Sequence, residues 1–398
     1  MVENKFIQQL EESFQSKDYS LFTRRSLDLT NDYQLPETLV SEIFELRKNY
    51  LSIIEINPTQ QDAITGAALQ VLEKIKSQDA TLVNTTNTTS DIVFKALDIT
   101  KQFHSGRNPF KLHPISFELK LGQITGVVGE NGNGKTTLLR IVSGQLSTDT
   151  GSIEFPALGT FSNNWYEAKN KFAFIPQRIP KWHGTLLENL LFFATIHNIT
   201  GEQNLKQIDY ILFRLGLDKF RDLTWGQISS GYRMRFELAK MLLWRPHLLI
   251  LDEPLANLDI NAQQLFLQDL RFFAQSQSNP LSIILSSQQL HEIERIADNI
   301  IFIRQGKTIY NGKQIDFGID RAVNNYEVAG NFTLQQLQNC LQESNGYKIE
   351  DAGTAFIISC SIDVKWFDVL SIIQKNGLEL NYYRDISQST RQLFHKDI

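Results

Sequence analysis

Apolar residues recur at helical spacing from the start of the chain, in Phe6, Ile7, Leu10 and Phe14, and again in Leu39, Ile43, Phe44 and Leu46. That spacing puts each group on one helix face, so residues 1–80 are predicted to form helices. Pro58 stands where a further helix would begin, with Ala63, Ala67, Leu69, Leu72 and Ile75 as its expected apolar stripe. These stripes either pack on one another or present a docking face to a partner. Asn84-Thr85-Thr86-Asn87-Thr88-Thr89-Ser90 is polar, repetitive and free of aliphatic residues, and marks residues 81–90 as a linker. Few contacts are expected across such a boundary.

From Asp91 the pattern shortens to that of strands. Ile115, Phe117, Leu119 and Leu121 alternate with polar residues, and Gly122 leads into the uniformly apolar run Ile124–Val128, expected to be a buried strand. Helical and apolar-strand patterns then alternate to about residue 310, the signature of an α/β domain with a mostly parallel sheet. Residues 91–324 are assigned to that domain and 325–398 to a small α+β unit. In the latter, Tyr326–Gly330, Tyr347–Asp351, Ala355–Cys360 and Leu378–Asp385 read as strands, and residues 333–343 and 364–374 as helices. The order β-α-β-β-α-β points to a ferredoxin-like arrangement.

Composition narrows the classes. A length of 398 residues suggests more than one domain, and 42% hydrophobic with 21% charged residues is ordinary for a globular protein. A net charge of -5 argues against a whole-surface nucleic-acid binder, and no nucleic-acid partner is expected. The cysteines, Cys340 and Cys360, are too few for a disulfide framework and read as buried thiols. The start of the chain lacks a basic and apolar leader, and the most apolar runs are short or broken by Glu188 and Asn189. The chain is therefore expected to be soluble, with any membrane role supplied by a partner.

The candidate chemistry begins at Gly129-Glu130-Asn131-Gly132-Asn133-Gly134-Lys135-Thr136-Thr137, which matches the Walker A pattern between a predicted strand and an apolar helix. Glycines let successive N–H groups turn inward as an anion nest, and the helix start adds its positive dipole end. Lys135 would carry charge to the β- and γ-phosphates of ATP, and the Thr136 hydroxyl would ligate Mg²⁺. Further on, Leu248–Leu251 is an apolar strand followed by the acids Asp252 and Glu253.

Ile228-Ser229-Ser230-Gly231-Tyr232-Arg233 precedes that strand by one helix and Arg245-Pro246. With this order of elements, residues 91–324 resemble an ATP-binding-cassette (ABC) ATPase. The resemblance implies a P-loop core with a mixed, mostly parallel sheet, an antiparallel β subdomain and a helical subdomain carrying the signature. It is similar to the nucleotide-binding subunit of a bacterial ABC transporter of exporter type. It also implies roles: Asp252 for Mg²⁺, Glu253 for polarising the attacking water, and Gln177 for a Q-loop contact to Mg²⁺ and that water. Phe103 would stack on adenine, or else be a plain core aromatic. Ser229 and Gly231 would reach the γ-phosphate of an opposite subunit, and Asp259 would communicate across the dimer.

Two positions depart from the family pattern. Ser230 stands where the signature usually has its first glycine, and Gln288, in Ser286-Ser287-Gln288, where the family usually has histidine. The resemblance implies hydrolysis of MgATP by a pair of cassettes, most simply a homodimer, coupled to a separately encoded membrane permease at the cytoplasmic face of the membrane. An ATP-gated scaffold with weak hydrolysis and a soluble ABC ATPase without transport remain alternatives.

Overall fold

The computed structural model describes residues 5–33, 35–78, 91–104, 109–158, 169–317, 323–342 and 346–387. The expected linker at 81–90 lies outside the described residues. The chain divides into a compact unit of Met1–Gln288 with Ile296–Asn311, and a second of Gln289–Arg295 with Gly312–Ile398.

The first unit begins with helices α1 (Lys5–Gln15), α2 (Tyr19–Asp32), α3 (Glu37–Ile56) and α4 (Thr65–Ser77). Asp18 caps α2 by accepting the Leu21 N–H at 2.9 Å. The expected stripe after Pro58 needs correction: Ala63, Ala67 and Leu69 are exposed, and the buried face is Ile64, Ala68, Val71, Leu72 and Ile75. Pro58 opens a 3-10 segment, Pro58–Ile64, and the α-helix starts only at Thr65, which shifts the phase of the stripe.

The helices share a core in which Tyr210 and Phe213 pack against Leu27, Leu46 and their neighbours. Tyr210 and Phe213 lie on α7 (Glu202–Leu215), which follows α5 (Lys135–Val142) and α6 (Leu186–Ile196) in chain order. Then come α8 (Ser230–Leu242) and α9 (Ile260–Ala274). Buried ion pairs tie α2 to this part of the fold: Arg24 to Asp269 at 2.6 Å, and Arg214 to Asp28 at 2.5 Å and to Asp269 at 2.7 Å. The sparse contacts expected for residues 1–80 are thus replaced by a charged, buried junction.

An antiparallel sheet of order β2-β1-β4 is built from β1 (Ile92–Phe103), β2 (Phe110–Lys120) and β4 (Thr150–Glu154). The larger sheet runs β5-β6-β7-β3-β8-β9. Its members are β3 (Ile124–Val128), β5 (Phe172–Ile175), β6 (Leu248–Leu251), β7 (Ser282–Ser287), β8 (Asn299–Arg304) and β9 (Lys307–Lys313). Strands β5, β6, β7, β3 and β8 pair in parallel. All residues of β3 and β6 are buried, which accounts for their unbroken apolar sequences. The carboxyl ends of β5, β6, β7 and β3 lie side by side, where parallel sheets assemble their sites.

The second unit has strands β10 (Val323–Gly330), β11 (Lys348–Asp351), β12 (Phe356–Ser361) and β13 (Leu380–Asp385) in the order β11-β12-β10-β13. Besides α10 (Leu290–Ile293), its helices are α11 (Leu334–Gln342) and α12 (Trp366–Lys375), and their apolar faces share a core with Tyr326, Val328 and Ile358. Cys340 and Cys360 are buried thiols not joined in a disulfide, and burial pushes the Cys360 thiol up to about 11. No helix of the described residues is long and apolar enough to cross a membrane.

Candidate functional site

The loop after β3 owes its shape to glycines at two close approaches. A Cβ on Gly129 would lie 2.3 Å from the Ile303 carbonyl oxygen. Gly134 has φ of +102°, and a Cβ there would lie 2.6 Å from the Phe110 ring. Asn133 is buried, and its Oδ1 accepts the Gln305 N–H at 2.8 Å, pinning the loop to the turn after β8. Glu130, Asn131 and Gly132 form the exposed rim, and Thr137 is half-buried at the start of α5.

Lys135, only 4% exposed, folds back under this loop. Its ammonium donates to the Gly129 carbonyl at 2.8 Å and the Glu130 carbonyl at 3.2 Å, and faces Glu253 Oε1 at 3.1 Å. The same residues thus bind the loop together and hold a cation beneath it.

The parallel strands deliver the remaining groups. Asp252 and Glu253 follow β6, Gln177 lies two residues past β5, and Gln288 lies one residue past β7. Gln177 Nε2 donates to Glu253 Oε2 at 2.8 Å and Gln288 Nε2 donates to the same oxygen at 2.9 Å. Glu253 is therefore boxed between an ammonium and two amides. Thr136 Oγ1 donates to Asp252 Oδ2 at 2.8 Å.

Ser286, which nothing in the residue pattern singles out beyond its place before Gln288, organises both acids. Its hydroxyl donates to Asp252 Oδ1 at 2.7 Å and accepts the Glu253 N–H at 2.9 Å. Glu253 has φ of +47°, a left-handed conformation that costs about 1–2 kcal/mol outside glycine. Such strain persists where surrounding bonds over-determine it. Phe110 is the other residue the sequence reading missed, and only the closure of its ring on Gly134 identifies it.

The donor set suits a hard cation with phosphate. Thr136 and Asp252 place a hydroxyl and a carboxylate 2.8 Å apart, both oxygen ligands of the type Mg²⁺ takes. No cluster of three or more His, Cys, Asp or Glu that could hold a metal occurs among the described residues. Mg²⁺ bound through one carboxylate plus substrate phosphates needs no such cluster.

The other expected residues form a separate group. Ser229 caps α8, accepting the Tyr232 N–H at 3.4 Å, and Asp259 caps α9, accepting the Ala262 N–H at 3.0 Å. Ser230 Oγ donates to the Asn257 carbonyl at 2.9 Å, a bond that glycine at this position could not make. A Cβ on Gly231 would meet Leu258 at 3.7 Å, ordinary contact distance. The two segments are thus joined to each other, and among the described residues no hydrogen bond links Ser229 or Gly231 to the glycine loop. Phe103 pairs with Phe110 across β1 and β2, ring centroids 6.4 Å apart, one strand away from Gly134. Asp149 fixes that strand end by accepting from Lys101 Nζ and the Gln102 N–H, both at 2.7 Å, and the Lys101 bond chiefly holds its carboxyl below the usual range.

The family described as ABC transporter matches residues 112–256. An uncharacterized ABC transporter ATP-binding protein of Methanocaldococcus jannaschii is 30% identical over 220 residues, 55% of this chain and 77% of that protein. The bacitracin transport ATP-binding protein BcrA of Bacillus licheniformis is 31% identical over 226 residues, 54% of this chain and 68% of that protein. Among solved structures, cbiO1 of Clostridium perfringens, described as part of the ABC transporter complex cbiONQ, shares the fold. Its TM-score is 0.52 at 22% identity, covering 58% of this chain and 92% of that one.

Proposed function

The chain belongs to the ABC transporter ATP-binding family, and from that premise we propose that it hydrolyses MgATP between two copies of itself to drive a separately encoded membrane permease. ATP binding follows from the family; Mg²⁺, the homodimer, the permease and a place on the cytoplasmic face of the membrane are part of the proposal. The observation that carries it is the carboxylate of Glu253, held beside the phosphate loop by Lys135, Gln177 and Gln288.

Each residue has a task in that reading. The loop N–H groups and the start of α5 bind the β- and γ-phosphates, and Lys135 turns its ammonium towards them while keeping the loop carbonyls. Mg²⁺ held by Thr136 and Asp252 would neutralise charge on those phosphates. Glu253 accepts a hydrogen bond from the attacking water, which adds to the γ-phosphorus as the bond to the ADP oxygen breaks. The water proton passes towards the carboxylate. Gln177 and Gln288 orient that carboxylate through Oε2, and Ser286 fixes the backbone that carries it.

Among the described residues no hydrogen bond links Ser229 or Gly231 to their own glycine loop, and in this reading the γ-phosphate they serve is that of a second copy. The active unit is then a C2 dimer, closed by ATP and released by hydrolysis. Glu253→Gln tests this: turnover should fall roughly 100-fold or more while ATP still binds. The variant should therefore elute as a dimer in ATP-containing size-exclusion chromatography. A variant that binds ATP and stays monomeric sinks the two-copy site.

A further inference from the structure

Buried guanidiniums need counter-charges, and among the described residues two in the first unit have no carboxylate bonded to them. Arg47 on α3 is 3% exposed; its Nε donates to the Phe213 carbonyl and its Nη1 to Thr23 Oγ1, each at 3.0 Å, and both acceptors are neutral. Arg235 on α8 donates through Nη2 to the Leu215 carbonyl, again neutral, and its buried Nε meets no acceptor among the described residues. The nearby carboxylates are already engaged. Asp28 answers Arg25 and Arg214, Asp269 answers Arg24 and Arg214, and Asp32 accepts from Ser276 and Ser278. Arg24, Arg25, Arg47, Arg214 and Arg235 therefore outnumber Asp28, Asp32 and Asp269. Burial, with the positive charges of Arg24 and Arg214 close by, depresses Arg47 to about 9.

Arg47 and Arg235 meet in the wall of one cavity of about 350 Å³, with Lys48, Lys219, Tyr50 and Tyr232. The acids of that wall are occupied, Glu55 with Lys219 and Asp218 with Arg221, each at 3.2 Å. We propose that this cavity binds a polyvalent oxyanion, through a phosphoryl or carboxylate group held by Arg47 and Arg235. A guanidinium presents a planar fork of donors that matches such groups and stays charged when desolvated. The tyrosines leave room for a small organic body beside the anionic head. Because Arg235 lies on the helix capped by Ser229, an occupant ties α3 to the start of the signature segment. The site does not depend on the ATPase reading.

The test uses the full chain carrying Lys135→Ala, so that the glycine loop contributes less to anion binding. Calorimetric titrations with inorganic phosphate, and separately with citrate, are run at constant ionic strength balanced with chloride. Saturable binding of one anion per chain is expected, weakened at least tenfold by adding Arg235→Gln or Arg47→Met. Tighter phosphate binding assigns the head group as phosphoryl, and tighter citrate binding as carboxylate. Equal affinity in a folded Arg235→Gln protein, or no saturable heat with either anion, overturns the site. Crystals of the unsubstituted chain soaked in selenate answer independently of how the variants fold. An anomalous peak within hydrogen-bond reach of both guanidiniums supports the proposal, and a peak at the glycine loop alone overturns it.

Discussion

The glycine-loop site and the arginine–aspartate junction of the N-terminal helices are made of the same materials, yet they are built for opposite ends. Each sets cations against carboxylates in a largely water-free setting. At the loop, Lys135 and Glu253 are buried, but Thr136, Gln177 and Gln288 remain exposed, so a ligand can enter and displace existing bonds. At the junction, Arg214 is 0% and Asp269 1% exposed, and the charges answer one another between helices. Burial opposes ionisation of Asp269, but Arg214 and Arg24 overcome it and hold its carboxyl below the usual range. Burial likewise opposes the charge of Arg214, and Asp28 and Asp269 reverse that and raise it. A charge whose partners can be exchanged serves chemistry, and one whose partners are locked serves cohesion.

The largest effect should come from breaking the locked set. Asp269→Asn leaves Arg24 and Arg214 short of a carboxylate in a dry setting, which costs about 3–5 kcal/mol when one partner of a buried pair is removed. Denaturant unfolding at neutral pH measures it. Asp269 has a depressed folded value, so its contribution is fully present above the ordinary carboxylate value of about 3.9 and is lost as pH falls through the folded one. The gap between the two proteins should close in that acid window. A variant as stable as the parent at neutral pH would show that apolar packing alone joins α2 to α7 and α9.

Lys135→Ala should do the reverse, lowering ATP affinity roughly 100-fold, the order expected for a charge-assisted contact to phosphate, with a much smaller change in unfolding midpoint. Calorimetric titration and thermal unfolding of the same sample separate the two quantities. A large loss of stability with intact affinity would make the lysine a structural residue like those of the junction.

The smallest effect is expected at Gln288, which holds Glu253 through a neutral amide. Histidine there can donate and accept and can take a charge. Gln288→His should therefore raise steady-state ATP turnover about tenfold, equivalent to about 1.4 kcal/mol in the transition state. Affinity for ATP should change little. Unchanged or slower turnover at saturating ATP would mean that Gln177 and Lys135 already orient the carboxylate fully.

Much of the site was legible because its chemistry is contiguous. Glycines, lysine and threonine must follow one another to wrap a phosphate, so Gly129–Thr137 announces itself, as do the acids that end an apolar strand. Six of the seven elements named in the second unit were likewise readable, all but α10, since each has its own apolar period. The stripe after Pro58 was misphased because a 3-10 turn and an α-helix advance by different angles per residue, and sequence does not mark where one gives way to the other. Ser286 was seen only as a neighbour of Gln288, and Ser230 only as a departure from glycine, since a hydroxyl declares no partner until the backbone brings one near.

What the amino-acid order determined by itself is therefore the inventory: a phosphate loop, a pair of acids, amides just past apolar strands, and helices with one apolar face. Only the tertiary structure decided which charge answers which. Asp28 and Arg214 stand 186 residues apart, and Arg24 and Asp269 stand 245 apart. Nothing local links such residues, because an ion pair is selected by the packing of whole helices rather than by spacing along the chain. The same packing left Arg47 and Arg235 beside a cavity whose acids, Glu55 and Asp218, are paired with other cations, a surplus of charge that could not be counted until the helices were in place.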